Sequence, residues 1–478
     1  MRIEKIRLDE VKKAYGDIKA LEDISLSLYQ GELLCVAGLS GSGKSVLADI
    51  ISGRMPKDGG GGMYVDGRPA AFTSIRQAQT AGIFCVRYKT SVISDISVEE
   101  NLCLMQKQGC LSFPARQGML HMRETLKSLE VECRLQAPVA SLSLMERHTI
   151  EICRACCAGM KVLILDGIAR DYTLKETEYM KRLVIRLRER GISILWIDTR
   201  PEIMLDAADR LAVLRKGRLA AVLYREEFER QMIDRIIIGE NRKAGREITR
   251  SQAEPGGRAV LLSVREVRAR ELRDVSFHVC PGEVVGFIHP EDTYCREIVR
   301  LLSGEFKVES GSAWLAGRQV ELAGGRKNMV RRGFGYIEDY KKSLFPKLDV
   351  AENLTIAGLE YFAPGVGVRE KLEQAVACDY LTLLDIREED LKRPIETLSH
   401  RCQLNVALYK WIIAKARLIV IDNLFSGTDI LMRNSVREFL EFAKSRGIGV
   451  VYCSPNEREL ASVCDRLYEL AEGKVSCR

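Results

Sequence analysis

Histidine is scarce in this 478-residue chain, with only 5 in all. None stands in an HExxH pattern, which argues against a metal enzyme built on imidazole ligands. Aromatic residues make up 6%, too few for a surface that stacks single-stranded nucleic acid. No apolar run reaches the roughly 18 to 20 residues needed to span a bilayer. The N-terminal MRIEKIRLDE lacks the apolar stretch of a signal peptide. A strong charge of one sign is missing too: 73 Lys and Arg face 66 Asp and Glu, a formal net charge of +7. That mild excess permits an anionic ligand or a membrane surface and does not single out nucleic acid. What is there is ordinary globular composition, 46% hydrophobic and 29% charged, which excludes a disordered or collagenous chain. The length suggests about two to three domains. The 15 cysteines form no dense framework, and the one vicinal pair is Cys156-Cys157. They read as reduced core thiols of a cytosolic protein.

The chain repeats itself. LEDISLSLYQGELLCVAGLSGSGKS, from Leu21 to Ser45, is answered by LRDVSFHVCPGEVVGFIHPEDTYCR, from Leu272 to Arg296. VEENL (Val98 to Leu102) is answered by VAENL (Val350 to Leu354), and VLILD (Val162 to Asp166) by LIVID (Leu418 to Asp422). ADRLAVLRKG (Ala208 to Gly217) is answered by CDRLYELAEG (Cys464 to Gly473). Matches in one order at a domain-sized offset mean tandem duplication. We expect copies at 1–240 and 259–478, with a polar Gly/Pro linker at 241–258. Within each copy, short apolar runs alternate with amphipathic stretches, the pattern of an α/β domain with a parallel sheet.

Gly38-Leu39-Ser40-Gly41-Ser42-Gly43-Lys44-Ser45 fits G-x-x-x-x-G-K-[ST] in full, after an expected strand and before an expected helix. Glycines let backbone N–H groups curl around phosphate oxygens, and the helix N-terminus adds positive potential. Lys44 is expected on the β- and γ-phosphates and Ser45 on Mg²⁺, with Asp166 as the partner carboxylate for the ion. The Gly-Lys-Ser ending marks phosphoryl chemistry and argues against a dinucleotide fold.

These segments resemble the ATP-binding cassettes of ABC transporters, and the tandem arrangement resembles the ATPase subunit of bacterial carbohydrate importers. KAYGDIKALEDISL (Lys13 to Leu26), SVEENL (Ser97 to Leu102) and DRLAVLRKG (Asp209 to Gly217) add to the likeness, which covers essentially the whole chain. It implies two P-loop domains, each with a mainly parallel sheet, an antiparallel β subdomain and a helical subdomain. It implies ATP and Mg²⁺ as ligands, and an adenine stacked on Tyr15. It further implies a place on the inner face of the cell membrane, permease subunits, and through them a sugar-binding protein, with association to another cassette chain an open option.

The chain departs from that family where turnover is concerned. The position of the water-activating Glu is Gly167, that of the switch His is Thr199, and that of the coupling Gln is Tyr88. The first signature reads Leu142-Ser143-Leu144-Met145-Glu146, with bulky residues in place of glycine. The second phosphate-loop segment, His289 to Arg296, has no Gly and carries Glu291 and Asp292. By the resemblance, Ser399 with His400 and Arg401 of the second signature would cap a single nucleotide held by the first copy. Glu146 and Asp171 are substitute bases only by nearness in sequence. We therefore expect ATP to bind at one site and hydrolysis to be slow or absent. The rival expectations are a non-hydrolysing regulatory or scaffold cassette protein and a soluble tandem-cassette translation factor.

Overall fold

The apolar runs of the sequence become strands buried on both faces. The computed structural model describes residues 3–16, 18–104, 116–239, 260–288, 293–359, 370–425, 428–471 and 473–477. The chain divides into two units, Met1–Ala244 and Gly245–Arg478. The expected linker at 241–258 and positions 289–292 of the second loop segment lie outside the described residues.

Unit 1 opens with a hairpin, β1 (Glu4–Tyr15) and β2 (Ile18–Tyr29), followed by β3 (Leu33–Ala37) and α1 (Lys44–Ile51). Then come β4 (Gly62–Val65), β5 (Arg68–Pro69), α2 (Ile75–Thr80) and β6 (Ile83–Arg87). The helical part holds α3 (Val98–Cys103), α4 (Arg116–Ser128) and α5 (Leu144–Cys157). The unit closes with β7 (Val162–Asp166), α6 (Leu174–Glu189), β8 (Ser193–Ile197), β9 (Arg210–Arg215), β10 (Arg218–Tyr224) and α7 (Arg230–Ile238).

A six-stranded sheet runs β10-β9-β3-β8-β7-β6, and all but β10 are parallel. A four-stranded antiparallel sheet runs β2-β1-β4-β5. Between the two lies one core, with Ile6, Leu8, Val11 and Ile24 from the small sheet against Leu34, Val36, Leu195 and Ile197 from the large one. Each such side chain contributes roughly 1.5–3 kcal/mol on burial. Arg210 ties the layers at their edge, paired with buried Glu32 and bonded to the Ser27 carbonyl.

Helix starts follow the sequence closely. Ser97 with Glu100, Ser143 with Glu146, and Thr173 with Glu176 each form a reciprocal capping box, in which both side chains satisfy orphan backbone donors. The Glu146 carboxylate is thus spent on the Ser143 N–H at 2.7 Å and is not a free base. One CxxC spacing exists that the reading of the cysteines passes over, Cys153-Arg154-Ala155-Cys156. It lies inside α5, and burial raises the Cys153 thiol well above its usual range and the Cys156 thiol to about 12, so both are poor nucleophiles and poor ligands.

Unit 2 repeats the plan. Its antiparallel sheet is built from Leu262–Ala269, Leu272–Val279, Ser310–Leu315 and Arg318–Gln319. Its larger sheet runs Phe334–Ile337, Leu418–Asp422, Gly449–Ser454, Val284–Ile288, Arg466–Ala471, Lys474–Cys477, the same order of counterparts as in unit 1. The helix His400–Ile413 is buried along most of its length, including Lys410, whose ammonium donates to the Ser343 carbonyl.

Burial lowers the Lys410 pKa to about 8. The folded value lies below the unfolded one, so stability rises with pH between about 8 and 10.5 as the unfolded chain alone keeps the proton. Lys410→Met lacks that gain. Its stability relative to wild type, from urea melts, falls across this window by about 2–3 kcal/mol at most. A pH-independent difference would refute the assignment.

Candidate functional site

The carboxyl ends of β3, β8, β7 and β6 lie side by side. Val36 pairs with Ile197, Asp166 with Ile197 and with Arg87 in register. Such a row of strand ends is where open α/β sheets bind ligands. The segment Gly38 to Ser45 follows β3 and turns into α1. Gly43 sits at φ 101°, and a Cβ there would stand 2.5 Å from the Ala20 carbonyl oxygen, so the turn demands glycine. Lys44 is buried and folds back on the loop, donating to the carbonyls of Gly38 at 2.7 Å and Leu39 at 2.8 Å and to Ser42 Oγ at 3.3 Å. The hairpin that carries Tyr15 returns past Gly43 through Ala20. Tyr15 itself is exposed, with its hydroxyl on Met55 Sδ at 2.8 Å.

Ser45 Oγ donates to Asp166 Oδ1 at 3.2 Å. A hydroxyl and a carboxylate side by side form an oxygen donor set that fits Mg²⁺ completed by phosphate and water. Burial raises the Asp166 pKa, and the Arg87 guanidinium and Ser45 only partly oppose this. No group of three or more His, Cys, Asp or Glu that could hold a metal is found among the described residues.

Arg87 is the residue that sequence reasoning missed. Its Nη2 lies 2.7 Å from Asp49 Oδ1 and 3.3 Å from Asp166 Oδ2. It is simply the last residue of an apolar run, and only the β6–β7 register puts it opposite Asp166. His148 was missed as well. It is fully buried in α5, and its Nε2–H donates to the carbonyls of Arg87 at 2.9 Å and Tyr88 at 3.1 Å. Nδ1 is then the acceptor for the Tyr172 hydroxyl at 2.6 Å.

The three departures lie near these groups. Gly167 follows Asp166 at φ 64°, and a Cβ there would meet nothing within 4 Å. Thr199 follows β8, between Asp198 and Arg200. Arg200 Nη2 donates to the Ala169 carbonyl at 2.6 Å, and its backbone N–H donates to Asp198 Oδ1 at 3.0 Å. The segments after β7 and β8 are thereby pinned together. The Tyr88 hydroxyl donates to Asp171, and Arg170 lies over its ring at 5.0 Å. Asp171, the other nominal base, is engaged in that bond. In unit 2, Ser399 caps the helix His400–Ile413 through the Cys402 N–H at 3.2 Å, and His400 faces the Tyr340 hydroxyl at 3.1 Å. Arg401 is bonded to Ser435 at 2.9 Å and Asp385 at 3.0 Å.

The sequence model described as "ABC transporter" matches residues 21–169 and again 272–426. The chain belongs to the ABC transporter family. A ribose import ATP-binding protein of Rubrobacter xylanophilus is 30% identical over 98% of this chain and 93% of its own length. A putative ribose/galactose/methyl galactoside import ATP-binding protein of Burkholderia cenocepacia is 31% identical, over 99% of this chain and 92% of its own. Among solved structures, an ATP-binding cassette of an ABC transporter in its ADP conformation is 22% identical and covers 49% of this chain and 95% of its own, with a TM-score of 0.44. ATP with Mg²⁺ is the family's ligand pair.

In this ABC cassette, His148 joins the helix that begins at the signature to the strand end that carries Arg87. Burial holds its pKa below the ordinary value, and the two carbonyls only partly restore it. The folded value is the lower one, so stability is lost as pH falls through about 6.5, where the unfolded chain protonates first. His148→Gln should destabilise by about 1–3 kcal/mol at neutral pH. The difference from wild type, read from urea midpoints, should shrink on acidification to about pH 5.5. An unchanged difference would refute the neutral assignment.

Proposed function

We propose that the chain is the ATP-binding subunit of a sugar-type importer, holding Mg-ATP at one site in unit 1 and hydrolysing it slowly or not at all. The carrying observation is the pairing of an intact phosphate cradle with Gly167, a position open to a side chain and lacking one. Gly38 to Ser45, Lys44 and Asp166 provide the ground-state contacts of a bound nucleotide. A positioned base is worth roughly 10² to 10⁴ in rate. Loss of the Glu and the His leaves binding contacts in place and removes the groups that act on water.

The names of the relatives, ribose import and ribose/galactose/methyl galactoside import, support a sugar-type system, permease partners, and a location on the cytoplasmic face of the membrane. No helix among the described residues is long and apolar enough to cross a membrane. Ile93 and Phe345 are both large, apolar and exposed, and each is held at the same place in its unit by a buried Asn, Asn101 or Asn353. They suit contact with an apolar partner. Arg401 is bonded to Ser435 and Asp385 and Ser399 caps its helix, and a phosphate role for the pair stays part of the proposal from the resemblance alone.

A second reading, a nucleotide-binding regulator without turnover, draws support from Tyr88. It replaces the coupling amide and is tied to Asp171. Single-turnover assays with protein in excess over labelled Mg-ATP separate the two. ADP that disappears in Lys44→Ala means slow turnover in the transport role, and intact bound ATP lost in the same variant means a regulator. Gly167→Glu should raise single-turnover hydrolysis at least about tenfold, at a backbone cost of roughly 1 kcal/mol for the left-handed conformation. No gain in a folded variant would mean that the missing carboxylate is not what limits the chemistry.

A further inference from the structure

The site holds a cation of its own. Arg87 Nη2 reaches Asp166 Oδ2 at 3.3 Å, beside the oxygen that Ser45 contacts. We propose that the Arg87 guanidinium stands in for the divalent ion at Asp166, so that unit 1 binds a nucleoside triphosphate with or without Mg²⁺. This rests on the reading of unit 1 as an ATP site.

Several observations converge on it. Arg87 is built into place: the register of β6 against β7 sets it opposite Asp166, and His148 holds its carbonyl from behind. As a guanidinium it stays charged, with Asp49 and Asp166 both within 3.3 Å. A guanidinium has five N–H donors, more than the Nη2 contacts to Asp49 and Asp166 use. Asp49 need not be stranded when Arg87 engages a ligand, since Arg54 Nε lies 3.4 Å from the same carboxylate oxygen. With Arg54 on Asp49 and Lys44 in the loop, the chain itself brings three cations to the surroundings of Asp49 and Asp166.

The chemistry favours exchange of one cation for another. Mg²⁺ demands near-octahedral oxygen ligands at short range, and Asp166 is the one protein carboxylate beside Ser45 in this donor set. A guanidinium 3.3 Å from that carboxylate competes with the ion for it. The same planar fork pairs with phosphate oxygens through two parallel N–H bonds. Arg87 would take the charge-neutralising part of the ion's role at the terminal phosphate. It would not take the ion's part in ordering an attacking water.

The test is equilibrium binding of a fluorescent ATP analogue to the full chain, in millimolar Mg²⁺ or in EDTA. Wild type, Arg87→Gln and Arg87→Lys are compared, with Lys44→Ala as the control without binding. Wild-type dissociation constants should agree within about threefold between the two conditions, while Arg87→Gln should weaken about tenfold or more in EDTA and recover when Mg²⁺ is added. Arg87→Lys, which keeps the charge, should stay closer to wild type in EDTA. A wild type whose binding weakens about tenfold or more in EDTA would overturn the proposal, and this comparison of two conditions decides even if the glutamine variant fails to fold. An Arg87→Gln loss equal in both conditions would overturn it too, leaving an ordinary phosphate contact. Absence of binding in every condition would instead remove the ATP reading on which the proposal stands.

Discussion

Everything in the candidate site hangs from one constraint, the level at which neighbouring parallel strands stop. Val36, Ile197, Asp166 and Arg87 are fixed side by side by backbone pairing, before any side chain makes a choice. A slip of one residue in β6 would turn Arg87 to the other face of the sheet. Fully buried strands protect against this, because every position of β3, β8 and most of β7 contributes to the core. Hydrophobic packing therefore aims the charged groups, and the charged groups contribute little to holding the sheet together.

In the function proposed above, binding and turnover rest on different links. The cradle is backbone geometry closed by Lys44 and braced from β9 and the turn after it, where the Gly217 N–H donates to the Ser42 carbonyl at 3.2 Å. Turnover needs side chains on the segments that follow β7 and β8. There the chain has put Gly167 and Thr199, and it fastens those segments to each other through Arg200 and to β6 through Tyr88. The fastening replaces groups that act on a ligand with groups that act on the protein.

Much of this was legible in the sequence, for identifiable reasons. The duplication, the phosphate loop and Asp166 are local patterns, and the order of strands and helices follows from alternating apolar runs. The adverse residues Gly167, Thr199 and Tyr88 could be read by position. Arg87 and His148 could not, because their meaning lies in pairing across the chain: Arg87 with Asp166, His148 with two carbonyls of β6 and the loop after it. Glu146 and Ser143 misled in another way. As a pair three residues apart they are a helix start first, and their oxygens are used by the backbone. The CxxC in α5 shows the same rule from the other side, since spacing without exposure carries no chemistry.

The folded-back Lys44 gives the phosphate loop a definite thermodynamic character. Its ammonium is solvated by the loop's own carbonyls, so this self-bonded loop is internally satisfied rather than strained. Entry of a ligand is then a displacement reaction, with one set of acceptors traded for another. Its driving force is the difference between phosphate and amide oxygens as partners for an ammonium. A ligand whose chain of phosphates is too short to reach Lys44 leaves the loop in its self-bonded form. On the ATP reading proposed above, competition with the loop's own backbone would set selectivity among adenosine mono-, di- and triphosphates.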